Sequence, residues 1–393
     1  MKSGIYQKYA KELVDMDKAH YCFCKEEDIE KQRQQQGDSF YFIDPCKKLS
    51  NEEIQNRIDN GEEYVIRLNI NSEGTTSFVD EVYGTITVDN STLDEMVLLK
   101  SDGFPTYNFA NVIDDHLMNI TDVVRGNEYL SSTPKYNLIY EAFGWDIPRY
   151  IHCPPVMKDE HQKLSKRNGD ASFQDLVAKG YLPEAILNYI ALLGWAPSED
   201  REIYSLQELA KAFDVKRIGT TGAIFDIEKL TWMNGVYLRN MDINEYYELV
   251  KPYIYEVVDN KLDYKLIANA IHDRINTLGE IKDTISFLNK VGDYELDIYT
   301  NKKAKTDADM AIKLLPEAIS ALTSVNNWTN DEIFACLANK AQELEIKNIT
   351  LMYPIQVALS GKTVAAGGAT AIAEILGKDE SLVRIQKAID KLK

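Results

Sequence analysis

Partway along this chain the spacing of apolar residues changes, and the change excludes most architectures. Between Val97 and Cys153 three short apolar runs, Val97-Leu98-Leu99-Lys100, Thr121-Asp122-Val123-Val124 and Arg149-Tyr150-Ile151-His152-Cys153, alternate with helical stretches. Strands separated by helices imply βαβ units and a parallel sheet. Ser132-Thr133-Pro134 supplies an N-cap and a first-turn proline for one of those helices, which ends at Gly144. From Ser172 onward nearly everything reads helical, with Ser205 and Glu208 at capping-box spacing and a polar break from Asn301 to Lys305. The residues beyond that break are read as all-α.

Upstream of Val97 the signal is mixed. Ile5, Tyr9, Leu13 and Met16 recur at helical spacing, a polar helical stretch follows Cys24, and Ser50 with Glu53 caps another helix. Two strand-like runs, Tyr64 to Ile70 and Tyr83 to Val88, complete what reads as a compact α+β unit. At about 100–200 residues per domain, 393 residues imply two to four such units.

Asp and Glu total 62 against 44 Lys and Arg, a formal charge of -18. Such a surface repels polyanions on average, so a nucleic-acid partner needs local basic patches, and its binding weakens steeply with salt. The N-terminal residues lack the apolar core and cleavage site of a signal peptide, and no run approaches about 18 apolar residues, so neither export nor a membrane span is expected. With five cysteines in no regular framework, reduced thiols and a cytoplasmic location are expected.

The most specific local motif is Lys163-Leu164-Ser165-Lys166-Arg167, beyond Pro154-Pro155 and the strand that ends near Cys153. Such a loop lies where parallel sheets bind nucleotides, and its cations could close over a triphosphate. A basic pentamer by itself is ordinarily a solvated loop. Further segments alter that reading: Ser101 to Asn111, Asp114-Asp115-His116, Thr121 to Gly126, Leu193-Gly194-Trp195, and Phe225 to Asn234. Together these resemble glutamyl-tRNA synthetases, class I aminoacyl-tRNA synthetases whose KMSKS signature commonly takes the form Lys-Leu-Ser-Lys-Arg. The resemblance runs from Ile5 to the C-terminal helices.

The resemblance implies an activity and a fold. Glutamate would be joined to tRNA(Glu) through a glutamyl-adenylate, with ATP and Mg²⁺ consumed as ATP-Mg²⁺. The fold would be α/β plus all-α: the second half of a Rossmann-type catalytic domain with an α+β acceptor-stem insertion, a stem-contact region and a helical anticodon-binding domain. The implied division is 1–96 for the N-terminal helix and insertion, 97–160 for the half Rossmann domain, 161–240 for the signature loop and stem contact, and 241–393 for the anticodon domain. The shorter glutamyl-queuosine relatives lack the C-terminal helices, and glutaminyl enzymes carry β-barrels there. A monomer is expected.

Residue by residue, the resemblance places Tyr107 and Asn111 against the amino-acid substrate and Arg125 on its side-chain carboxylate. A guanidinium suits that role, because it can hold a carboxylate through two hydrogen bonds and finds no charge on glutamine. On its own, Arg125 reads equally as one half of an ion pair at a strand end. Glu128 maps close to ATP, and Val156 onto a backbone contact to adenine. Lys166 maps onto the lysine that binds phosphate and stabilises the adenylation transition state, with Lys163, Ser165 and Arg167 in support. Asp114 and Asp115 invite a two-carboxylate reading, but neither half-reaction needs a protein base, so a helix-edge or substrate contact is expected; His116 reads as a local hydrogen-bonding residue.

Cys22, Cys24 and Cys46 suggest zinc, which thiolates bind at about 2.3 Å, and some members of the resembled family carry zinc at this place. Those sites take a fourth ligand two residues after the third cysteine or four before it. Here the positions hold Lys48 and Phe42, and His20 does not match the spacing. A degenerate, metal-free site is the expectation.

The other class I signature, HIGH, precedes all of these segments in the resembled family. None of the five histidines, His20, His116, His152, His161 and His272, lies in a His-x-Gly-His pattern. The expectation is an N-terminally truncated chain that lacks the first half of the ATP site and forms adenylate feebly or not at all. The competing reading is a non-catalytic tRNA-binding fragment or regulatory paralogue.

Overall fold

In the opening helix, α1 (Ile5–Asp15), Ala10 and Leu13 are fully buried and Tyr9 packs beside them, whereas Ile5 and Met16 of the expected stripe are exposed. The computed structural model describes residues 4–36, 40–164, 172–259 and 261–393. Met1–Leu164, Leu192–Arg201 and Ala210–Phe225 make one unit, and Ser165–Ala191, Glu202–Leu209 and Asp226–Lys393 the other. Three segments alternate with three, so the chain passes between the units five times.

In the first unit α1 leads to β1 (Ala19–Cys22), the polar helix α2 (Glu26–Gln36) and α3 (Asn51–Asp59). Ser50 and Glu53 form the reciprocal capping box that their spacing implies. Next come β2 (Val65–Leu68), β3 (Thr75–Asp80), β4 (Gly84–Asp89) and β5 (Val97–Leu99). The remainder is α4 (Tyr107–Leu117), β6 (Asp122–Gly126), α5 (Thr133–Phe143), β7 (Arg149–Cys153) and β8 (Val156–Met157). Leu13, Ile66, Leu98, Phe109, Ile113 and Ile139 form the centre of its core.

Strand pairing corrects part of the sequence reading. The order β4-β3-β7-β6 makes one sheet, in which β3, β7 and β6 run parallel and β4 antiparallel to β3. Of the three runs between Val97 and Cys153, β6 and β7 alone form a parallel crossover, through α5. β5 runs antiparallel to β2 in a separate sheet, β1-β2-β5, because an apolar run of three residues does not encode which strand it pairs with. The β3–β4 hairpin belongs with β7, so the boundary read at residue 96 cuts across the four-stranded sheet. β6 lies at its edge, with Val124 62% exposed. Ser132 precedes α5 but makes no capping bond; Pro134 in the first turn and Gly144 at φ 66° bound the helix as expected.

The second unit holds α6 (Phe173–Ala178), α7 (Pro183–Leu192) and the start of α8 (Leu206–Ala212). Its long segment carries α9 (Ile227–Asn240), α10 (Ile243–Val257), α11 (Tyr264–Ile271), α12 (Ile281–Ile285) and α13 (Ala308–Thr323). α14 (Asn330–Glu343), α15 (Asn348–Ser360), α16 (Gly368–Leu376) and α17 (Lys378–Leu392) complete it. Leu182 and Ala185 share one core with Leu238, Tyr246 and Leu315. Arg384 ties this core together by donating to the carbonyls of Phe287, Leu288 and Leu359 at 2.6–2.9 Å. At Gly180, where φ is +90°, the chain meets another backbone: Leu278 N–H donates to the Gly180 carbonyl at 2.9 Å, and a Cβ at 180 would lie 2.2 Å from Gly279 N.

Candidate functional site

Arg125 stands near the carboxyl end of β6, the end at which open parallel sheets bind ligands. Its guanidinium carbon lies 5.1, 4.9 and 5.6 Å from the ring centres of Tyr129, Tyr136 and Tyr150. Among the described residues it has no ion pair. Its Nε donates to His152 Nε2 at 3.1 Å and its Nη2 to Thr133 Oγ1 at 2.8 Å. One side of the fork is thereby occupied. The end-on edge between Nη1 and Nη2 has no partner among the described residues.

Behind this arginine lie two groups that the sequence reading did not single out. His152 is fully buried; its Nδ1 lies 2.6 Å from Asp80 Oδ2, and its backbone N–H donates to the same oxygen at 3.1 Å. Asp80 Oδ1 accepts from the N–H groups of Val82 and Tyr83. Burial lowers the imidazole pKa below its ordinary value and Arg125 lowers it further, against the pull of Asp80 and Glu128. Asp80, His152 and Arg125 therefore connect three neighbouring parallel strands at their carboxyl ends. A polar residue at the end of a strand gives no sign of a partner four strands on in sequence, as Asp80 of β3 is from His152 of β7, and only the fold brings these together.

The other expected residues fall on both sides of Arg125. Tyr107 opens α4, is 59% exposed, and has its ring 5.8 Å from that of Tyr129. Burial and a hydrogen bond donated to Tyr129 raise its phenol pKa, while Arg125 opposes the rise. Asn111, one turn on, has a buried Oδ1 with no hydrogen-bond partner among the described residues. A buried acceptor left unpaired is costly, and a ligand donor would satisfy it. Glu128 is exposed in the turn after β6, with its carboxylate over the bare face of Gly126. Val156 pairs with Ala223 of the short strand β9 (Ala223–Ile224), and its carbonyl accepts from Leu164 N–H at 2.9 Å.

Lys163 is exposed and bridges the backbone of Met157. Ser165, Lys166 and Arg167 lie outside the described residues. Asp114 accepts from Tyr6 Oη at 2.8 Å, a helix-edge role, and burial raises the Asp115 pKa while Arg125 opposes the rise. The His116 ring stacks on that of Trp145, with centres 3.6 Å apart.

The cysteine cluster includes a further candidate donor. Expecting it to be metal-free rested on the want of a fourth donor at the usual spacings. Asp44, two residues before Cys46, is such a donor: one atom each of Cys22, Cys24, Asp44 and Cys46 lie within 4.8 Å of one another. The Cys24 and Cys46 sulfurs are 3.7 Å apart, close to the ~3.8 Å between thiolates on a tetrahedral ion with bonds of about 2.3 Å. Asp44 is buried and bonded behind by His20 Nε2 at 3.0 Å, the outer support that a metal-bound carboxylate needs. Burial alone would raise the Asp44 pKa, but hydrogen bonds led by that of His20 hold it well below the carboxylate range. Burial pushes the Cys22 thiol up to about 11.

Comparison with known proteins places these features in a family. Residues 2–232 match the model of class I tRNA synthetases (E and Q), catalytic domain, and residues 245–389 that of an anticodon binding domain. The chain is 51% identical over 395 residues to a glutamate–tRNA ligase of Clostridium botulinum, an alignment covering 100% of this chain and 81% of that protein. A glutamate–tRNA ligase of Clostridium tetani is likewise 51% identical, with the same coverage. Among solved structures, a glutamate tRNA ligase from Elizabethkingia meningosepticum, in complex with its amino acid, superposes with a TM-score of 0.86 at 29% identity, covering 99% of this chain and 82% of that one. The glutamate–tRNA synthetase of Elizabethkingia anophelis gives 0.85 at 29% identity, covering 98% and 82%.

Proposed function

The chain belongs to the class I tRNA synthetases of the E and Q type, and we propose that it joins L-glutamate to tRNA(Glu) at the expense of ATP-Mg²⁺. The observation that carries this reading is Arg125, a cation walled by three tyrosines with no acid partner among the described residues and one free edge. That edge suits the substrate's side-chain carboxylate. Asn111 Oδ1 lacks the donor that an α-ammonium supplies, and Tyr107 lies on the same side. The α-carboxylate then attacks the α-phosphorus, pyrophosphate leaves, and the terminal ribose hydroxyl of tRNA takes the acyl group from AMP. The lysines of the signature, Lys163 and Lys166, with Ser165, Arg167 and Glu128, are assigned to ATP on the motif, and Val156 to adenine. The region around residues 20–96 is assigned to the acceptor stem, 161–240 to stem contact and 241–393 to the anticodon. No helix among the described residues is long and apolar enough to cross a membrane.

The test is transfer of labelled glutamate to tRNA(Glu) with ATP present and glutamine as control. Charging with glutamate at least about tenfold preferred, the size of one charge-assisted hydrogen bond, is the expected result; equal use of glutamine overturns the reading. Since these residues contain no His-x-Gly-His, a parallel filter-binding measurement separates charging from tRNA binding. Retention of tRNA with no charging would favour the non-catalytic reading.

We also assign a structural zinc ion to Cys22, Cys24, Cys46 and Asp44. Its contribution there would be to tie the end of β1 to the turn at Cys46. The purified chain should carry about one zinc per molecule, and Cys24→Ser or Asp44→Ala should reduce that content and expose the remaining thiols to a thiol reagent. A chain that stays metal-free after zinc is supplied, with all three thiols reactive, would remove the assignment.

A further inference from the structure

A guanidinium enclosed by aromatic rings has no fixed rotation unless something holds it. Arg125 is held by two acceptors, His152 Nε2 and Thr133 Oγ1. Thr133 Oγ1 donates to the Tyr129 carbonyl at 2.9 Å and also lies 3.3 Å from His152 Nε2; toward Arg125, which has no acceptor, it only accepts. His152 Nε2 is an acceptor only if the ring proton sits on Nδ1, and Asp80 keeps it there: Oδ2 lies 2.6 Å from Nδ1, and the carboxylate is held by three backbone N–H groups. The order Asp80, His152, Arg125 follows the order of β3, β7 and β6 in the sheet.

We propose that Asp80 and His152 are positioning residues that fix Arg125 with its Nη1–Nη2 edge toward the substrate carboxylate, so that the specificity for glutamate depends on a neutral, Nδ1-protonated His152. This rests on the reading that Arg125 receives that carboxylate. A protonated His152 would point an N–H at the Nε–H of Arg125 and lose the bond. The charged and titratable groups facing the ring are Asp80 from β3, Arg125 from β6, and Glu128 from the turn that follows. The two acids favour protonation, while burial and the arginine oppose it. Acidification therefore has a defined sign: as pH falls below the ordinary histidine range of about 6.5 and through the lower value of the buried ring, glutamate affinity falls.

The experiment is calorimetric titration of the full chain with L-glutamate from pH 5 to 8, for wild type, His152→Leu and His152→Gln, with tRNA binding and thermal unfolding as checks on folding. Glutamine places an amide oxygen near the position of Nε2 and can accept from Arg125; leucine fills the space and cannot. Expected are a loss of at least about tenfold in glutamate affinity for the leucine variant, near wild-type affinity for the glutamine variant, and an acid-side loss present in wild type but absent in His152→Gln. Nitrogen-15 spectra of labelled histidine should report His152 as the Nδ1–H tautomer. If wild type binds glutamate and His152→Leu binds it equally, or if His152→Gln shows the same acid-side loss, the positioning role is overturned while the proposed function stands. If wild type binds glutamate no better than glutamine at any pH, the functional reading fails and this inference with it.

Discussion

Arg125→Gln should weaken L-glutamate binding at least about a hundredfold and abolish the preference for glutamate over glutamine, while tRNA affinity is unchanged. Two charge-assisted hydrogen bonds on the open edge contribute about 1.5–3 kcal/mol each, and 1.4 kcal/mol is about tenfold. Burying a carboxylate among Tyr129, Tyr136 and Tyr150 without that cation adds desolvation cost in the same direction. The glutamine amide can still donate once to His152 or Thr133, which limits damage to the strands behind it. Calorimetry with both amino acids, alongside filter binding of tRNA, measures the split. Unchanged glutamate affinity would show that another cation takes the carboxylate.

The second large effect is on stability. Gly180→Ala should lower the thermal midpoint of the second unit by roughly 6–12 °C, from a loss of about 3 kcal/mol at about 2–4 °C per kcal/mol for 150–250 residues. Two costs combine: a φ of +90° strains any side chain, and the new methyl would sit 2.2 Å from Gly279 N and 2.9 Å from Leu278 backbone atoms. Backbone on both sides leaves nothing flexible to give way. Gly368→Ala is the control, since φ there is +67° but nothing lies within 4 Å of the added carbon. It should cost only the conformational part, about 1–2 kcal/mol. Equal midpoints for the two variants would mean that the crossing at Gly180 relaxes without penalty.

Most strands were legible where an apolar run coincided with a strand, as at β2, β4, β6 and β7. β3 was missed for a physical reason: Thr-Thr-Ser-Phe-Val-Asp buries Thr76, Phe78 and Asp80 while exposing Val79, so its inward face is two-thirds polar and its hydropathy reads inverted. The same inversion hid the contact of Asp80 with His152. Of the residues proposed to meet the substrate, Tyr107, Asn111 and Arg125 were legible through their motifs, whereas His152 and Thr133, which stand behind Arg125, sit in elements whose flanking residues already explain burial. Asp44 was missed because ligand spacing was taken as fixed; the turn Asp44-Pro45-Cys46 brings a carboxylate to the thiols at a spacing of its own.

The five passages of chain between the two units bear on how such a protein can be inherited. A single recombination event at the boundary between the two matched family models, between residues 232 and 245, would not exchange one unit for another. It would leave α6, α7 and most of the catalytic-type sequence behind, with Leu182 and Ala185 stripped of the helices that bury them. Any incoming anticodon reader would have to present an apolar surface matched to those two residues and a backbone that tolerates Gly180. A cut between residues 232 and 245 would thus divide a core that both sides build, with Leu182 and Ala185 before it and Tyr246 and Leu315 after it.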